Sequence, residues 1–109
     1  QDIEKAIMEA NLGFTPMNNG EMIMINIPPL TEERRLELVK QAKAEAEQCK
    51  ISIRSVRQKA NDEMKKLGKD GLSEDMEKDA EVEVQKLTDS YIQKTEDHFS
   101  TKEKEILTI

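Results

Sequence analysis

The chain has 109 residues, enough for one domain or for one domain and part of another. Charged residues make up 37% and hydrophobic ones 36%, with two Phe, one Tyr and no Trp, so a large aromatic core is excluded and long helices or coiled coil are favoured. The net charge of −6 argues against nonspecific nucleic-acid binding through bulk charge, while leaving room for a local basic patch.

The first element predicted is a helix over 2–12, where Ile3, Ala6, Ile7 and Ala10 recur at helical spacing and Asp2 can act as N-cap. The chain opens on Gln1, inside this amphipathic segment, so the start is expected to be truncated or processed. Residues 11–20 are rich in turn formers and are expected to form a loop. Residues 21–27 then alternate, with Met22, Met24 and Asn26 on one face and Ile23, Ile25 and Ile27 on the other, which predicts a strand. A lone strand is marginal in water, so its partner is expected to lie outside this chain. The strand runs into Pro28, Pro29 and Leu30, a stiff connector, because proline fixes φ and removes an amide donor.

From Thr31 the pattern becomes helical. Thr31 suits an N-cap, and Glu32 and Glu33 suit the positive end of the helix dipole. Leu38, Ala42, Ala46, Cys49, Ile53, Val56, Ala60, Met64 and Leu67 fall within an arc of about 80° at 100° per residue, the narrow stripe of a coiled coil or long bundle. Gly68 is expected to close this helix of about 31–67 in a left-handed cap. Ser73, followed by Glu74 and Asp75, opens a second helix of about 74–107. Its stripe is Ala80, Val84, Leu87, Tyr91, Thr95, Phe99 and Ile106. The short turn makes the two antiparallel. The fold class expected is therefore mainly α, a long antiparallel helical hairpin with a partial α/β segment before it. Ile51, Val82 and Ile92 lie off both stripes, and a third helix is expected to cover them and complete a bundle. Self-association of the chain, by exchange of stripes or of a helix, would serve the same end.

The sequence gives no support to catalysis. His98 is the only histidine and Cys49 the only cysteine, which rules out an internal disulfide and a multi-Cys metal site. Cys49 is expected to be a small buried hydrophobe, consistent with a reducing compartment. His98 is expected at the surface or the bundle edge. The acidic pairs Glu81/Glu83 and Glu96/Asp97 have no second ligand set nearby in sequence and are expected to be solvated. No metal or other cofactor is expected, and no apolar run approaches the roughly 20 residues of a membrane span.

Charge is distributed unevenly between the helices. Residues 31–70 carry eleven Lys/Arg and eight Asp/Glu, whereas 73–109 carry five and eleven. Lys43, Lys50, Arg54, Arg57 and Asn61 share an arc of about 60° beside the apolar stripe. Such a strip has two readings. It can salt-bridge the acidic second helix, as in many coiled coils, or it can track phosphates, reading the shape of a folded RNA.

Several separated segments, "IEKAIMEANLGFTP", "PPLTEERR", "KAEAEQCKISIRSVRQKANDEMKKL", "LSED" and "VQKLTDSYI", resemble the ribosome recycling factor family, in family order and over essentially the whole chain. The resemblance implies an L-shaped pair of domains. One is a three-helix bundle whose first helix is N-terminal, and the other a small β/α/β domain inserted after that helix. Residues 1–30 would be the tail of the inserted domain and 31–109 the second and third bundle helices, as in a C-terminal fragment. It further implies docking on large-subunit rRNA of the post-termination ribosome and, with elongation factor G and GTP, separation into subunits. GTP hydrolysis would belong to the partner, in a bacterial cytoplasm or an organelle. The RNA-gripping positions implied are Arg35, Arg54 and Arg57, and Pro28, Pro29 and Leu30 would be the hinge. Gln58 departs from many relatives, which carry arginine there. The alternative reading, from a different class, is a structural or adaptor coiled-coil hairpin that self-associates without salt-dependent RNA affinity.

Overall fold

The computed structural model describes residues 1–109, in the order α1 (Asp2–Glu9), β1 (Pro16–Asn18), β2 (Ile23–Ile25), α2 (Glu32–Lys69) and α3 (Glu74–Leu107). These elements form two compact units, Gln1–Thr31 and Glu32–Ile109. In the smaller unit α1 packs on β1 and β1 pairs with β2. Gln1, and not Asp2, occupies the N-cap of α1, with no side-chain capping bond. The helix is three residues shorter than predicted, because Asn11 takes a positive φ of 49° and Gly13 one of 88°.

The strand predicted over 21–27 finds its partner within the chain, contrary to expectation. Pro16, Met17 and Asn18 stand opposite Ile25, Met24 and Ile23 in an antiparallel hairpin. The turn that joins them is built by asparagine side chains. Asn19 Oδ1 accepts from the amides of Glu21 (3.0 Å) and Met22 (2.8 Å), Asn18 Oδ1 accepts from Gly20 (2.8 Å), and Gly20 has φ +95°. The amide of Asn19 also bonds Met22 O at 3.2 Å, so Gly20 and Glu21 are the two residues of the loop, and glycine at the first of them supplies the positive φ that lets such a turn follow the twist of the strands. Proline is tolerated in β1 because the pairing leaves one edge of that strand without a ladder. Asn18 Nδ2 also donates to Glu4 Oε2 (3.2 Å), tying the hairpin to α1.

The larger unit is the long antiparallel hairpin. Its register is marked by Arg35 against Ile106, Cys49 against Thr95 and Lys50 against Glu96. The seam is thin. Met64 is its one buried apolar side chain, at 9% exposure, and Leu38, Ile53, Val84, Ile92, Phe99 and Ile106 are half-buried. Thr88, not part of the predicted stripe, is the other buried residue; its hydroxyl donates to Val84 O at 2.8 Å, so it enters the seam without an orphaned polar group.

The turn departs from expectation by three residues. Gly68 lies inside α2, and the left-handed position is Gly71, with φ +112°. Leu72 N bonds Leu67 O at 3.0 Å and Gly71 N bonds Gly68 O at 3.4 Å, the pair of bonds that defines a Schellman motif. Ser73 then caps α3 as predicted, its hydroxyl accepting from Met76 N at 3.2 Å. The two glycines should respond with opposite signs to the same substitution. Gly71→Ala, strained by its φ, should lower the urea-unfolding free energy by about 1–2 kcal/mol. Gly68→Ala should be neutral or stabilising by up to about 1 kcal/mol, because the atom its Cβ would crowd, Glu77 Oε2 at 2.5 Å, is the end of a flexible side chain.

Candidate nucleic-acid interface

The six residues singled out from sequence lie on α2 but meet very different surroundings. Lys43 and Arg54 are exposed, Arg57 and Asn61 half-buried. Among the described residues, none of Lys43, Arg54 and Arg57 forms an ion pair with α3. Lys50 alone does what a salt-bridged strip would do. Its ammonium lies 3.1 Å from Glu96 and 3.4 Å from Glu47, with its side chain only 15% exposed. The Glu96 carboxylate raises the Lys50 pKa above its ordinary 10.5, Glu47 adds to the effect and partial burial opposes it. Asn61 Oδ1 is buried without a hydrogen-bond partner. Arg35 is turned toward the end of α3, where Nη1 donates to the carbonyls of Ile106 and, at 3.0 Å, of Thr108. Pro28, Pro29 and Leu30 are exposed and belong to no regular element.

The apolar surface of the hairpin divides differently from the prediction. Cys49, Val56, Leu87 and Tyr91 belong to the predicted stripes yet stay exposed. With Ile53 and Val84 they line an open groove of about 480 Å³ between the helices. A second stretch of about 330 Å³, lined by Ala42, Ala46, Thr95 and Phe99, adjoins it and shares Cys49. Each stripe is thus split, one side closing the seam and the other walling the groove, because two helices in contact along one line cover only part of an 80°-wide stripe. Cys49 is therefore not the buried hydrophobe expected; its sulfur lies 3.4 Å from Thr95 Oγ1 at the groove floor. His98 stands exposed on the groove wall, as the edge position predicted for it requires. Ile92 is half-buried in the seam, whereas Ile51 and Val82 stay exposed. Arg57 reaches the groove as well, so its aliphatic stem meets apolar surface. No helix is long and apolar enough to cross a membrane, and no three His, Cys, Asp or Glu side chains are grouped to hold a metal ion among the described residues.

Comparison with known proteins decides the family. The model for "Ribosome recycling factor" matches residues 1–107. The chain belongs to the ribosome recycling factor family. The ribosome-recycling factor of Flavobacterium johnsoniae is 59% identical over 109 residues, and that of Parabacteroides distasonis 54% over 110; each match takes in all of this chain. A solution structure of the ribosome recycling factor is 42% identical and superposes with a TM-score of 0.67 over 98% of this chain and 56% of the other. The chain spans 58–59% of the length of these two sequence relatives.

Because Lys50 has a raised pKa in the folded state, its ion pair contributes stability that is complete below 10.5 and lost as pH rises through the higher folded value. Lys50→Met should therefore be less stable than the parent chain in urea at pH 7. The difference should shrink toward zero in titrations carried above pH 10.5.

Proposed function

We propose that this chain serves ribosome recycling by gripping large-subunit rRNA through one edge of α2, with Arg54, Arg57 and Lys43 as the main contacts. The observation that carries this reading is that these three cations lie on a helix facing an acidic partner and yet make no ion pair with it. An uncommitted guanidinium suits bidentate phosphate contacts, and the straight edge of a long helix suits the backbone of structured RNA better than its hidden base edges. Lys50 and Arg35 were selected with them from sequence, but their donors are already engaged within the hairpin. Asn61 is a lesser contact at the turn end of the strip.

On this reading the protein is not an enzyme. It acts on the post-termination ribosome with elongation factor G, which supplies GTP hydrolysis, and the outcome is separation into subunits in the bacterial cytoplasm. The connector at Pro28, Pro29 and Leu30 is the hinge. Its two prolines restrict the directions in which the smaller unit can be displaced. The apolar groove between α2 and α3 is the seat of a third bundle helix, whose apolar side would cover Val56, Leu87 and Tyr91. A second copy of the chain competing for that groove is the other arrangement the surface supports.

Two measurements test this. Binding to isolated large ribosomal subunits should weaken steeply between low and high salt, and Arg54→Glu should reduce affinity roughly tenfold or more while lowering the salt slope by at least about one, with helix content unchanged. Salt-insensitive binding, or an Arg54→Glu variant that binds like the parent, would count against the RNA grip. A peptide matching the first bundle helix of a full-length relative should raise the melting temperature of the hairpin and reduce any dimer seen in sedimentation. A peptide without effect on either would remove the groove from the proposal.

A further inference from the structure

We propose that Arg35 is a clasp that holds the last turn of α3 against the first turn of α2, rather than an RNA contact as the family resemblance implies. The two carbonyls it joins, those of Ile106 and Thr108, lie 71 and 73 residues away along the chain. They are end groups of a helix whose last four carbonyls have no intrahelical donor. Thr108, the C-cap, sends both its amide and its hydroxyl back to Lys104 O, so neither bond uses the two carbonyls that Arg35 takes, and Lys104 is the one basic residue in the last turn of α3. A guanidinium arriving from the neighbouring helix therefore satisfies orphan acceptors and places positive charge at the negative end of the α3 dipole.

The position matters as much as the bonds. The turn closes one end of the hairpin covalently and through the Schellman motif. At the other end no covalent link joins the helices. Leu38, Val39 and Ile106 there are only half-buried, and Leu36 and Leu107 are 53% and 46% exposed, so apolar burial is too shallow to hold the ends together. Arg35 lies in the first turn of α2, a few residues after Pro28-Pro29-Leu30. A frayed base would give the connector no fixed post, whereas a clasped one anchors it.

Amide hydrogen exchange on this chain decides the matter independently of any ribosome. Arg35→Ala should raise exchange at residues 104–109 roughly tenfold while leaving amides 64–77 around the turn unchanged. Arg35→Lys, which keeps the charge but not the two-acceptor geometry, should fall between the two. If Arg35→Ala unfolds the whole chain, acceleration will extend to the turn, and the Lys variant then carries the test. Unchanged exchange at 104–109 in both variants would overturn the clasp. In parallel, large-subunit binding by Arg35→Lys and Arg35→Ala should retain the salt slope of the parent chain. A slope lowered by about one would return Arg35 to the RNA contacts. Should the parent chain not bind subunits at all, the RNA grip proposed above fails while the exchange result still decides the clasp.

Discussion

The contact on which the larger unit depends is the seam between α2 and α3, a single line of side chains about fifty ångströms long by the 1.5 Å rise of a helix. Helices in proteins gain their stability from packing more than from propensity, and here the packing is sparse. One apolar side chain is buried, and the rest of the seam is made of half-buried Ala, Leu, Ile, Val and Phe, with the buried Thr88 satisfied by Val84 O. Such a seam tolerates the high charge of the chain because most charges stand well away from it. It also leaves part of each apolar stripe open, which is why the hairpin carries a groove as well as a core.

A thin seam needs fixed ends. At one end Gly71, Leu72 and Ser73 finish α2 and start α3 within four residues, and the amides of Asp70, Gly71, Leu72, Met76 and Glu77 all find acceptors there. At the other end the guanidinium of Arg35 reaches across to the carbonyls of α3. Between them the Lys50–Glu96 ion pair crosses the seam; the pairs Arg34–Glu37, Lys66–Glu63, Lys86–Glu83 and Lys102–Glu105 lie within one helix, three residues apart, where each contributes only tenths of a kilocalorie. The acidity of α3 is therefore mostly not spent on neutralising α2. That leaves the α2 edge free to attract an anion in spite of the net negative charge of the chain, provided the anion approaches within the Debye length of that edge.

Seam and edge together separate two tasks along one helix. Around the wheel of α2, apolar residues meet α3 and the groove, and the cations lie to one side. A rod so divided can be held in a bundle by one side and grip a polyanion with another.

How much of this was legible in the sequence follows from the range of each interaction. Periodicity, Ser73 and the glycines near residue 70 announced two helices and their antiparallel turn, because caps and stripes are local properties. The basic strip was equally legible, as was the family resemblance. The short strand Pro16–Asn18 carries no alternation of its own over three residues, and the asparagine and glycine that follow it suit an open loop as well as a hairpin turn. Gly68 and Gly71 could not be told apart, since only the path of the chain into α3 decides which of them takes positive φ. Which part of each stripe closes the seam was likewise undetermined, because rotation of one helix against another is set by all contacts along the pair at once. By itself the sequence determined the helices, their order and the placing of charge, all encoded within a few residues. Only the tertiary structure decided that Lys50 and Arg35 are committed within the hairpin while Lys43, Arg54 and Arg57 make no such ion pair, because an ion pair or a cap between residues 46 or 71 apart exists only once the register of the two helices is set.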